Sequence, residues 1–371
     1  MFILLFSISF LFNILCILPY SRYIFKRVYA KYFDKPFFSE KNKDDIIISA
    51  IVKTSLNISR PIMIQQEYRG LFIDIKSFFS EKRNSSVFNN FYTSYLYVGL
   101  SQYALKFKDN IIFKHLEKTT NMWINEKEHK LNYKLQRIDQ YPIGILFINL
   151  FRITNDIKYK KIADYIYNSL INKRSDNSNI IKYNNDECNY VDVLGMIVPF
   201  LMEYYELSGE ILAYNIAKEN LEEYYKYGVD KETGFPAHGY NLKSKIKVGS
   251  INWGRGIGWY LLANAYCSNT NIDNKILDNN LNKISYNQFL QQNTHYDSST
   301  ALMCEIYKQS KDLNRRLSLN FIRQHIRTNG YIDHCSGDTY GFNYYSNVFG
   351  ESELCNGLFL ILISKFNFPN I

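Results

Sequence analysis

The chain has 371 residues, 46% of them hydrophobic and 16% aromatic, which supplies a sizeable core and excludes a disordered protein. The net charge is +9, but the Lys are scattered among Asn, Ile and Tyr and form no dense basic block, so a nucleic-acid footprint is excluded. Gly and Pro are too sparse for an all-β chain, and the six Cys form no Cys-x-x-Cys pair, which argues against a zinc site or a disulfide framework and for buried free thiols.

Residues 2–20 carry no charge and approach the length of a membrane span. Arg22, Lys26, Arg27, Lys31 and Lys35 follow. A cleavable signal normally has its positive charge before the apolar run and small residues after it, and both are missing. Residues 1–21 are therefore expected to form an uncleaved anchor or signal-like segment. The positive-inside rule places the body in the cytoplasm, with export to the periplasm or cell surface as the alternative. Residues 22–45 read as a basic, polar linker, and 46–371 as a single catalytic domain.

From residue 46 apolar side chains recur at three- and four-residue spacing, which predicts helices over 46–56, 90–107, 142–152, 156–173, 192–207 and 210–226. Further helices are expected over 255–267, 274–290, 297–309, 311–326 and 351–365. Pro199 should kink its helix or leave the first part irregular. Arg152-Ile153-Thr154-Asn155-Asp156 is echoed by Glu206-Leu207-Ser208-Gly209-Glu210 at an offset of 54 residues, the mark of a helical-hairpin repeat. Such hairpins predict an all-α closed ring, with an open α-solenoid as the alternative. Longer loops between the hairpins hold the Gly, Pro, Asp, His and Trp, as expected if one face carries the site.

Four segments hold polar residues that an apolar ring does not need. Asp139 precedes a helix and could be a turn or cap residue. Asp192 stands among Val191, Val193, Leu194, Ile197 and Val198, surroundings that penalise the charged form and suit a proton donor, although a cap is again the plainer use. His238 lies in a turn between aromatics and could hydrogen-bond a sugar hydroxyl or carboxylate, or be structural. Trp253-Gly254-Arg255-Gly256-Ile257-Gly258-Trp259 places a planar cation between two indoles, with glycines that let other groups come close. Asp297 or Ser298 reads as a cap. No phosphate loop, dinucleotide fingerprint, Gly-x-Ser-x-Gly elbow or His-Glu-x-x-His occurs.

In this order, Asp139 with Gly144, Asp192-x-x-x-Met196-x-x-Pro199-Phe200, His238-Gly239-Tyr240, Trp253 to Trp259 and Asp297-Ser298-Ser299 resemble the unsaturated glucuronyl and rhamnogalacturonyl hydrolases, glycoside hydrolase families 88 and 105. The resemblance covers about residues 90–365 and implies a six-hairpin (α/α)6 barrel. It implies removal of a non-reducing-end 4,5-unsaturated uronic acid from lyase-generated oligosaccharides by hydration of the enol ether. Asp192 then looks like the general acid/base and Asp139 like the second acid that orients the substrate. His238, Arg255 and Trp259 fall where the family contacts the uronate, with Arg255 as a carboxylate partner and Trp253 as a wall. No metal or organic cofactor is implied, and the partner is an acidic oligosaccharide. Tyr190 stands where the family more often has Trp, and Ile257 replaces a commonly polar residue. Another α/α-barrel activity, or a non-catalytic carbohydrate-binding protein of surface-polysaccharide metabolism, would fit the same pattern of elements.

Overall fold

The computed structural model describes residues 4–14, 44–57, 90–174, 178–183, 187–251, 253–267, 275–281, 295–311, 313, 316–337, 339–346 and 349–366. Beyond a helix over residues 4–14, the elements are α1 (Asp44–Asn57), α2 (Phe91–Phe107), α3 (Asn110–Asn121), β1 (Ile124–Asn125) and β2 (Lys130–Leu131). A 3-10 helix (Ile138–Ile143), α4 (Gly144–Thr154), α5 (Ile157–Ile171), β3 (Cys188–Tyr190), α6 (Val191–Ser208) and α7 (Ile211–Tyr227) come next. After them lie β4 (Gly239–Asn241), β5 (Lys247–Val248), α8 (Gly254–Tyr266), α9 (Lys275–Leu281), α10 (Ser298–Lys311) and α11 (Arg316–His325). The chain closes with β6 (Cys335–Ser336), β7 (Thr339–Gly341), β8 (Tyr344–Tyr345), β9 (Phe349–Gly350) and α12 (Glu353–Ser364).

The fold is an all-α (α/α)6 toroid. Helices α2, α4, α6, α8, α10 and α12 each pack against the next, and α12 packs back on α2. That closure excludes the open solenoid. The inner helices are apolar almost all round: every residue of α8 and of α12 is buried. The outer helices bury one stripe, as in α7, where Ala213, Ile216, Ala217, Asn220, Leu221 and Tyr224 face inward. Where α2 and α12 meet, Gly99 and Gly357 bring the backbones together, and a Cβ on Gly99 would lie 2.3 Å from the Gly357 carbonyl oxygen. No larger residue permits this approach.

The hairpin turns repeat. Helices α2, α4 and α6 end on left-handed residues, Lys108, Asn155 and Gly209. Asp109, Asp156 and Glu210 then accept N–H groups of α3, α5 and α7 with their side chains. The echo in the sequence is this turn. Helix α3 had no expectation of its own, because only Ile112, Leu116, Thr119 and Thr120 of it are buried, and two of these are polar. Of the helix expected over 274–290, residues 274 and 282–290 lie outside the described residues. Cys16 lies outside them too, and the other five Cys are free, four of them buried.

Pro199 does not break its helix: α6 runs unbroken from Val191 to Ser208. The missing proline N–H leaves the Gly195 carbonyl without its helical donor. The Tyr95 hydroxyl of α2 donates to that oxygen instead, at 2.5 Å. A neighbouring side chain thus takes up the carbonyl that the proline leaves without a donor.

Candidate active site

The site is assembled where the small sheet β3-β4-β5 meets the start of α6. Strands β3 and β4 are antiparallel, with Tyr190 opposite Gly239. The Val191 N–H donates to the His238 carbonyl at 3.0 Å, and the His238 N–H donates to the Ser250 carbonyl at 3.2 Å. His238 is thus the residue leading into β4, held on both sides by backbone bonds, and its carbonyl takes one of the first N–H groups of α6. The Tyr224 hydroxyl fixes the preceding Ala237 carbonyl at 2.8 Å.

This ladder places Asp192 beside His238, with Asp192 Oδ2 3.7 Å from His238 Nε2. The His238 side chain is 4% exposed and that of Asp192 22%. Asp192 is therefore less deeply enclosed than its apolar neighbours led one to expect. Val191, Val193, Leu194, Ile197 and Val198 turn into the core while the carboxyl leans outward. Asp192 is also not the cap of α6, since Tyr190 holds that position. His238 Nδ1 is buried and has no hydrogen-bond partner among the described residues.

Aromatic rings enclose the pair. Trp253 lies 4.2 Å from the His238 ring and stacks on Tyr345, 5.5 Å between centroids and 9° between planes. Phe342 stacks on Tyr190 at 5.2 Å and meets His238 edge-on. His295 packs on the Tyr345 ring at 4.8 Å. Burial pushes the Tyr345 phenol up to about 12, with the negative charge of Asp192 adding to it, so its hydroxyl stays protonated at neutral pH. Gly256 lets Trp253 fold back over the start of α8, because a Cβ there would lie 2.4 Å from the indole.

The other expected residues take distinct places. Asp139 sits in the 3-10 helix, which packs against α6. Arg137 grips its carboxylate with two bonds, Nε to Oδ1 at 3.1 Å and Nη2 to Oδ2 at 2.7 Å. Trp259 is fully buried, lodged against Gly195 with Tyr95 stacked beside it and Phe91 edge-on. Arg255 is 2% exposed. Its Nη1 donates to the Ser336 carbonyl at 2.8 Å and the Tyr92 hydroxyl at 3.2 Å, and its Nη2 to the Gly337 carbonyl at 2.6 Å. Its terminal nitrogens thus face backbone carbonyls. Asp297 caps α10 as expected, accepting from the Thr300 N–H at 2.7 Å. Burial alone would raise the Asp297 carboxyl, but the Arg255 charge and the donors of Ser336 and Thr300 outweigh it and hold the group below the usual carboxylate range.

Phe342, Tyr345 and His295 were not anticipated from the sequence. The signal available was Gly341-Phe342-Asn343-Tyr344-Tyr345, hairpin punctuation that carries aromatics where a plain turn would be polar. Among the described residues no group of three or more His, Cys, Asp or Glu is arranged to hold a metal ion.

A helical toroid with a partly open carboxylate, an imidazole and stacked aromatic walls fits a carbohydrate-active protein of the α/α-barrel class. The family model of Glycosyl Hydrolase Family 88 matches residues 77–304, more than half of the chain, and the chain belongs to that family. No curated protein matches it in sequence. Among solved structures it is similar to a family 105 glycoside hydrolase of C. acetobutylicum ATCC 824, at 19% identity and a TM-score of 0.58, over 75% of this chain and 93% of that one. It is also similar to the unsaturated glucuronyl hydrolase of Bacillus sp. GL1, responsible for degradation of glycosaminoglycan, at 12% identity and 0.58, over 86% of this chain and 95% of that one. An unsaturated glucuronyl hydrolase specific for heparin aligns at 12% identity and 0.59, over 87% of this chain and 97% of that one.

Proposed function

We propose that the chain removes a 4,5-unsaturated uronic acid from the non-reducing end of oligosaccharides made by polysaccharide lyases. Asp192 protonates C4 of the enol ether and draws a proton from the water that attacks C5. The hemiketal so formed opens and releases the rest of the sugar. The glycosidic oxygen is not displaced directly, so the carboxylate spacing that separates retaining from inverting enzymes does not apply. The observation that carries the reading is the Asp192–His238 pair at 3.7 Å. That separation is longer than a hydrogen bond and leaves both groups able to engage a third polar group, such as a ring hydroxyl. Tyr345 offers a flat face to the sugar ring, and the buried Trp253 backs it from behind. Asp139, with its charge balanced by Arg137, supports the site from the adjoining 3-10 helix. Trp259 packs against Gly195, three residues after Asp192 in α6, and so supports the start of that helix. The basic net charge of +9 favours an acidic substrate.

The deciding measurement is loss of the near-ultraviolet absorbance of the C4=C5 bond on a panel of lyase products. Turnover of at least one product is expected. Turnover of saturated oligosaccharides with none of the unsaturated ones would sink the assignment, and so would binding without any turnover.

We also propose that residues 2–20 attach the protein to a membrane, with the body on the cytoplasmic side. Helix 4–14 exposes Leu4, Leu5, Phe6, Ile8, Phe10, Leu11 and Phe12. It spans roughly 16 Å, about half of a bilayer core. Among the described residues no helix is long and apolar enough to cross a membrane. Support comes from the uncharged run reaching residue 20 and the five basic residues after it. Full-length protein is expected in the membrane fraction after alkaline carbonate washing, protected from protease in intact cells. A chain of residues 22–371 is expected in the soluble fraction. Full-length protein in the soluble fraction would refute attachment.

A further inference from the structure

Three segments meet behind the aromatic walls: the first turn of α8 through Arg255, the start of α10 through Asp297, and residues 335–337. Asp297 is completely buried and uses its two oxygens for different purposes. Oδ1 accepts from the Thr300 N–H, the Thr300 hydroxyl and the Ser299 hydroxyl, each at 2.7 Å, which is the helix cap. Oδ2 accepts from the Ser336 N–H at 2.8 Å and the Ser336 hydroxyl at 2.9 Å. Capping does not need this second set. Arg255 takes the Ser336 carbonyl, so Ser336 is gripped at its N–H, hydroxyl and carbonyl together. The chain runs from there into the β7–β8 hairpin, which carries Phe342 to Tyr190 and Tyr345 to Trp253 and His238.

We propose that Asp297 is a positioning residue for the substrate site: through Ser336, and together with Arg255, it sets where Phe342 and Tyr345 stand against Trp253 and His238. Arg255 then acts as a brace for this hairpin through the Ser336 and Gly337 carbonyls. The kinetic side of the proposal rests on the hydrolase reading above, while the placement of the hairpin does not.

Asp297→Asn separates the two uses. The amide oxygen can keep the cap, but its Nδ2 then points a donor at the donors of Ser336. Ser336→Ala removes only the hydroxyl arm and is the milder change if the first variant folds poorly. For both, KM on the unsaturated substrate is expected to rise about tenfold while kcat stays within about threefold, since the walls bind the sugar and do not transfer the proton. Acrylamide quenching of tryptophan fluorescence should increase, and the increase should vanish in a Trp253→Phe background, which assigns it to the indole under Tyr345. A lowered Tm with KM and quenching unchanged in both variants would overturn the proposal and leave Asp297 as a cap alone. If no unsaturated substrate is turned over by the unmodified protein, the hydrolase reading fails, and quenching still decides the placement.

Discussion

Asp192→Asn is expected to reduce kcat on unsaturated oligosaccharides by about a thousandfold or more, within the range lost when a general acid/base is removed. The fold should be untouched. The Asp192 carboxyl is 22% exposed, makes no cap and lies outside the packed layer of α6. Asparagine has the same shape and can still engage a hydroxyl, but it cannot deliver a proton to C4 or take one from water. KM should therefore change little beside kcat, the signature of an interaction needed mainly in the transition state. Circular dichroism and Tm within about 1 °C of the unmodified protein would exclude a folding defect, since surface-like substitutions cost at most about 0.5 kcal/mol. A folded Asp192→Asn protein with near-normal turnover would remove Asp192 from the chemistry. His238 would then be the group to test next, because its Nδ1 is buried without a partner among the described residues.

What the sequence disclosed follows from what is local. Apolar spacing reported the helices because inner and outer faces differ over three or four residues. The turns at Asn155-Asp156 and Gly209-Glu210 were visible because left-handed termination and acidic caps are single-residue choices. Asp192 and His238 stood out as polar residues in apolar or aromatic stretches, and the β3–β4 ladder brings them together. What stayed hidden depends on contacts across the ring. The donor that takes up the carbonyl freed by Pro199 comes from Tyr95, about a hundred residues earlier in the chain. The covered position of Trp259 needs the bare surface of Gly195. The carbonyl partners of Arg255 lie on Ser336 and Gly337, so its spacing between two indoles gave no indication of them. Phe342 and Tyr345 reach the site from the β7–β8 hairpin, far along the chain from Tyr190 and His238.

Glu203→Gln should be strongly destabilising although it lies away from the site. Glu203 lies in α6 with 1% of its side chain exposed, and it holds two cations from other inner-ring elements. Arg152 Nη1, from α4, reaches Oε2 at 2.5 Å, and Lys365 Nζ, just after α12, reaches Oε1 at 2.5 Å. Burial alone would push this carboxyl up, but Lys365 and Arg152 overcome it and hold it below the usual carboxylate range. Glutamine keeps the volume and removes the charge, leaving two partly buried cations facing each other. Breaking a buried pair in this way costs about 3–5 kcal/mol. Each cation is 26% exposed and can turn towards water, so the lower end, about 3 kcal/mol, is expected here. The apparent Tm at pH 7 should fall by roughly 4 °C, given an unfolding entropy of about 2.1 cal/mol/K per residue. The pH dependence gives a second check. A carboxyl depressed in the folded state contributes its stability above the unfolded value of about 4.3 and loses it as pH falls through the folded value. The gap in Tm between the unmodified protein and Glu203→Gln should therefore be full at pH 7 and shrink below about pH 4. An equal gap at both pH values would mean that the loss comes from packing of the amide and owes nothing to the charges on Arg152 and Lys365.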